Sequence, residues 1–118
     1  VTTHTVLIVE DDADASALMK EVLEDEGFFV VCATDGRQAL GAMAGLEHVC
    51  LILLDLFMPG MNGWDFLTSV RASPGGDAVP VVVVTSRPEQ APADANRVLA
   101  KPLSFGALIS TVSAYCAR

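Results

Sequence analysis

The chain has 118 residues, 52% of them hydrophobic, and a formal net charge of −8. That length suits one domain with one core, and seven Lys and Arg in all are too few to neutralise a nucleic-acid backbone, so a protein or a cation is the expected partner. No apolar run approaches a membrane span and no signal-like segment opens the chain, which leads to the expectation of a cytoplasmic protein without membrane contact.

The first strand is expected at Thr5–Val9. A helix follows, with Asp12 as N-cap, Ala15, Leu18, Met19, Val22 and Leu23 on one face, and Gly27 as its stop. A second strand, Phe29–Ala33, leads into a shorter helix marked by Ala39, Leu40 and Met43. The third strand, Leu51–Leu54, ends on Asp55 and a turn containing Pro59 and Gly60. Phe66, Leu67 and Val70 then mark a helix closed by the loop 73–77. Val81–Thr85 is a fourth strand and Val98–Ala100 a weaker fifth. The last helix carries Phe105, Leu108, Ile109, Val112 and Cys116 at helical spacing. Strands apolar on both faces and alternating with helices predict an α/β fold, a doubly wound parallel sheet covered on both sides.

In such sheets, sites gather at the carboxyl ends of the strands. Strand one ends in Glu10-Asp11-Asp12, strand three in Asp55, strand four in Thr85-Ser86, and Lys101-Pro102 follows strand five. Each alone reads as a cap or a turn, but together they line one rim. Converging carboxylates repel one another and are costly to desolvate, a conflict that a hard cation such as Mg2+ resolves. With Lys101 as a fixed positive charge and Thr85 as a hydroxyl donor, Asp55 is positioned as a nucleophile toward phosphorus.

The stretches V-L-I-V-E-D-D, L-L-D-L-F-M-P-G-M-N-G and V-L-A-K-P, taken together, resemble the receiver domain of two-component response regulators, over about residues 5 to 116. The resemblance implies a flavodoxin-like five-stranded sheet of order 2-1-3-4-5 and a single receiver domain over residues 1–118. It makes Asp55 the phosphoacceptor, Asp11 a direct Mg2+ ligand and Glu10 a ligand through water. The Phe57 carbonyl completes the coordination, and Thr85 and Lys101 hold the phosphoryl group. It further implies a phosphohistidine donor on a sensor histidine kinase or phosphotransfer protein, an effector domain or partner protein downstream, and a cis Lys101-Pro102 bond.

One stretch departs from the family pattern. Sixteen positions separate Thr85 from Lys101, and Pro88 and Pro92 fall where the fourth helix of a receiver runs, so that helix is expected to be shortened or missing. Val98 stands three residues before Lys101, where many receivers carry an aromatic, and a β-branched side chain has one comfortable rotamer. A degenerate receiver, binding a partner without phosphorylation, is therefore the alternative. A phosphatase of the aspartate-nucleophile type, not a signalling domain, would need a second acid at position 57, which is Phe. Phe57 and Arg87 are placed to lean over the phosphoryl group. Trp64 reads as packing, His4 and His48 as isolated surface residues. Cys32, Cys50 and Cys116 show no metal-ligand spacing and no disulfide framework, and each reads as a small buried hydrophobe.

Overall fold

Five apolar runs, each short and rich in Val, Ile or Leu, pair side by side and all run parallel in the computed structural model, which describes residues 4–46, 48–58 and 60–116. Pro59 lies outside the described residues. The strands are β1 (Thr5–Val9), β2 (Phe29–Ala33), β3 (Val49–Leu54), β4 (Val81–Thr85) and β5 (Arg97–Ala100), in the order β2-β1-β3-β4-β5. Parallel neighbours need crossovers, and three of the four are helices: α1 (Ala13–Asp25), α2 (Gly36–Gly45) and α3 (Gly63–Ala72). A fourth helix in chain order, α4 (Phe105–Tyr115), follows β5.

The β4 to β5 crossover carries no α-helix. It contains one 3-10 turn, Pro88–Gln90, which matches the shortening that its two prolines predict. The sheet order and the cis Lys101–Pro102 bond also agree with the expectations.

Each helix start is fixed by a side chain. Asp12 accepts from the N–H of Asp14 and Ala15, Asp35 from Gln38, Asn62 from Asp65 and Ser104 from Ala107. Gly27, at φ 91, ends α1 in a conformation that a side chain resists. One core, with Val6, Ile8, Leu23, Leu53 and Val112, lies under α1 and α4. The other, with Leu7, Ile52, Phe66, Leu67 and Val70, lies under α2 and α3.

Four expectations change. Leu18 is 47% exposed and Phe105 44% exposed, although both fit an apolar helical period. Cys32 is exposed and free, and Cys50 and Cys116 form a disulfide rather than packing as separate hydrophobes. Sequence spacing missed this pair because its members are 66 positions apart and meet only when α4 packs on the sheet. His4 and His48 are both exposed but not isolated, with ring centroids 6.0 Å apart.

Candidate functional site

The parallel register of β1 and β3 sets two acids side by side. Val9 pairs with Leu54, so the next residues, Glu10 and Asp55, emerge together at the carboxyl edge. Their backbones are tied down: the Glu10 N–H donates to Ala33 O at 3.0 Å and the Asp55 N–H to Val9 O at 3.0 Å. One carboxylate oxygen each of Glu10, Asp11 and Asp55 lies within 4.8 Å of the others, close enough to share a metal ion. Glu10 and Asp55 are buried, and Asp11 is exposed.

Lys101 reaches this cluster from the other side of β4. Its N–H donates to Thr85 O at 2.9 Å, which holds the lysine beside the end of β4. Its Nζ lies 2.9 Å from Glu10 Oε1 and 3.8 Å from Asp55 Oδ2. Burial, reinforced by the neighbouring Asp55, holds the Glu10 carboxyl above the usual carboxylate value, against the opposing pull of Lys101. For Lys101, burial lowers the pKa, but the hydrogen bond to Glu10 and the charges of Asp55, Glu10 and Asp11 outweigh it, and the net shift is upward. The ammonium is therefore a permanent charge. Glu10 Oε2 is buried and has no hydrogen-bond partner among the described residues, which in a charged side chain marks a position built for something else.

Thr85 is fully buried at the end of β4, and its Oγ1 accepts from the Arg87 N–H at 3.1 Å. That contact uses a lone pair and leaves the hydroxyl proton to donate elsewhere. The Phe57 N–H donates to Asp55 Oδ1 at 3.3 Å, restraining the carboxylate, while the Phe57 ring stands exposed. The ring meets Trp64 edge-on at 5.3 Å between centroids, and the Arg87 guanidinium lies 5.9 Å from the Phe57 centroid. Trp64 is more than packing, since its Nε1 donates to Gln90 O at 3.1 Å and so links the aromatic pair to the β4 to β5 turn.

Gly63 presses the start of α3 against this loop. A Cβ there would stand 2.6 Å from Leu56 Cα and 2.8 Å from Asp55 O, closer than real atoms approach. The Gly63 N–H also donates to Leu56 O at 2.9 Å. A glycine after a turn is an ordinary helix-start signal in the sequence, and only the fold shows its contact with the acid loop.

A family model for the response regulator receiver domain matches residues 6–113. The chain belongs to that family. Over 84 residues it is 40% identical to the transcriptional regulatory protein CpxR of Escherichia coli K12, an overlap covering 71% of this chain and 34% of that protein. The chain thus spans about a third of the length of CpxR, whereas it covers 88% of a 14.6 kDa protein of Leptolyngbya boryana to which it is 32% identical over 117 residues. Its fold superposes on the chemotaxis protein CheY4 of Vibrio cholerae with a TM-score of 0.85 at 27% identity, covering 98% of this chain and 100% of that one. A CheY-like response regulator receiver domain from Methylobacillus flagellatus gives a TM-score of 0.85 at 25% identity, with 98% and 100% covered. This receiver domain of a two-component system carries the acidic site expected of one, at Glu10, Asp11 and Asp55.

Proposed function

We propose that Asp55 accepts a phosphoryl group from a phosphohistidine on a sensor kinase or phosphotransfer protein, in the cytoplasm, and that residues 1–118 act as one receiver domain. The supporting observation is the gathering of three carboxylates within 4.8 Å, with the Lys101 ammonium 3.8 Å from Asp55 Oδ2. Asp55 is held by its neighbours rather than free to swing. An Asp55 oxygen forms the new bond to phosphorus as the bond from phosphorus to the histidine nitrogen breaks. Lys101 takes up negative charge on the transferring group, and the Thr85 hydroxyl donates to one of its oxygens.

The donor set fits Mg2+. Every side-chain donor in the cluster is an oxygen, and Glu10 Oε2, without a hydrogen-bond partner among the described residues, gives the site a free acceptor. Asp11, Asp55 and the Phe57 carbonyl would hold the ion directly and Glu10 through water, and when bound it would supply positive charge that stabilises the transferring phosphoryl group. The chemistry is confined to the domain's own phosphorylation and dephosphorylation. We assign no nucleic-acid contact to this segment, whose charge is −8, and no helix among the described residues is long and apolar enough to cross a membrane.

With magnesium and acetyl phosphate, the intact mass is expected to rise by one phosphoryl group, carried on Asp55. The gain should vanish in Asp55→Asn and fall strongly in Asp11→Ala. A folded protein that gains no phosphoryl group from several donors would instead support a degenerate receiver. The three-residue turn in place of a crossover helix favours that second reading.

Magnesium should also raise the melting temperature at neutral pH, as a ligand of the folded state does. Because the Glu10 pKa is raised in the folded chain, the stability it contributes without metal is present at low pH and lost as pH rises through the folded value. Protons and magnesium then compete, so the magnesium-induced rise should shrink as pH falls toward that value. A rise independent of pH would place the ion away from Glu10.

A further inference from the structure

The second constructed site lies at the end of the sheet opposite the acid rim. Cys116 is buried at the C-terminal end of α4, its N–H donating to Val112 O at 2.8 Å. Cys50 lies near the start of β3, where the pairing with β1 slips: Thr5 pairs with Val49 and Val6 with Leu51, which leaves Cys50 as an extra residue without a partner. Bulges re-aim side chains and are rare between parallel strands. Here the re-aimed residue is bonded through sulfur to Cys116, with the two Cα atoms 5.5 Å apart. The Cys50 sulfur also lies 3.5 Å from Thr5 O. In the disulfide it has no proton to donate, but as a thiol it would, so the reduced side chain has a hydrogen-bond acceptor already in reach.

In the compartment where phosphohistidine kinases use their nucleotide, thiols are kept reduced, and disulfides found there are usually transient and catalytic or redox-sensing. We propose that Cys50 and Cys116 form a reversible redox-modification site, in which oxidation clamps the end of α4 to β3 and reduction frees it. This rests on the cytoplasmic receiver reading, yet its test uses no phosphorylation. Cys50 is the half-buried member and hence the point of entry. Its thiolate attacks a glutathione disulfide, releasing one glutathione thiolate and leaving a mixed disulfide. The Cys116 thiolate then attacks the Cys50 sulfur and displaces the second glutathione. Two electrons pass to glutathione, and the two cysteine protons end on its two thiols.

The clamp closes a span of 66 positions, so it should restrict the unfolded chain strongly, and reduction should lower the melting temperature by about 10 °C. The test equilibrates the 118-residue chain in glutathione buffers of graded ratio without denaturant, then applies alkylation and trypsin. Cys32, Cys50 and Cys116 fall on separate peptides, 21–37, 38–71 and 98–118. In oxidising buffer, peptides 38–71 and 98–118 should be joined and the intact chain about 2 Da lighter than the reduced one. In reducing buffer they should separate, the melting temperature should fall, and amides of residues 105–115 should exchange faster. Cys32→Ser should behave as the parent, while Cys50→Ser and Cys116→Ser should melt at the lower temperature in both buffers. The mass and peptide readings are made on the parent chain, so they hold whether or not a variant folds. Joining through Cys32, no joined peptide in any buffer, or a bond that reducing glutathione leaves intact in the folded chain would each overturn the proposal.

Discussion

The two crossovers that flank β4 are built in opposite ways. Between β3 and β4, α3 buries Phe66, Leu67 and Val70 against the sheet, and Asn62 caps its start. Between β4 and β5, the turn Pro88–Gln90 has no buried residue at all. Two side chains of α3 help to hold that second connection. Trp64, at the helix start, donates to Gln90 O. Arg71, in the last turn, donates through Nη2 to Asp94 O at 3.2 Å and Asn96 Oδ1 at 2.9 Å, and through Nη1 to Gly76 O and Val79 O. Asn96 completes the clamp by accepting from the Val81 N–H at 2.8 Å and donating its own N–H to Val81 O. A helix brings its own apolar stripe to the core; a shortened crossover must be held by polar side chains from elsewhere.

The contrast predicts different responses to mutation. Phe66→Ala should cost about 3–5 kcal/mol in urea denaturation, because it empties a fully buried ring position. A loss below about 1 kcal/mol would mean that burial does not hold α3. Arg71→Gln should cost about 2 kcal/mol, since it leaves several carbonyls short of a donor. Its signature is local: amide exchange should speed up at 94–96 before the rest of the sheet. An Arg71→Gln protein as stable as the parent would show that the proline-rich segment stands unaided.

Trp64→Phe keeps an aromatic ring but removes the bond to Gln90, and should cost about 1 kcal/mol. This variant also tests how a signal would travel. Val98 has one strongly preferred rotamer, while Phe57, Trp64 and Gln90 form a continuous line from the acceptor loop to the turn. In the parent, a beryllofluoride mimic on Asp55 should slow exchange in 57–64 and 86–94, and in Trp64→Phe only in 57–64. Changes concentrated in 105–115 in both proteins would assign the response to α4 instead.

How much of this the amino-acid sequence discloses follows from the range of the forces involved. Strands apolar on both faces, helix caps such as Asp12, and the rim acids are written in short stretches, and each is legible in the order of residues alone. The proline pair at 88 and 92 likewise announces the missing crossover helix. The Arg71 clamp is not legible in this way, because an arginine near the end of a surface helix usually reads as a dipole partner and its acceptors lie up to 25 positions away. Leu18 and Phe105 mislead for a related reason. Helical periodicity tells which residues share a face, not whether a neighbour covers that face.

The contact of Gly63 with the acid loop bears on how this domain can be altered. Phe57 projects outward and could be exchanged for many side chains without moving the carboxylate beneath it. Position 63 has no such freedom, because the first atom of any side chain would enter the space of Leu56 Cα and Asp55 O. A designer varying the lifetime of the modified state could explore position 57 widely. Every change at 63 would be a change to the acceptor itself, made from eight positions away.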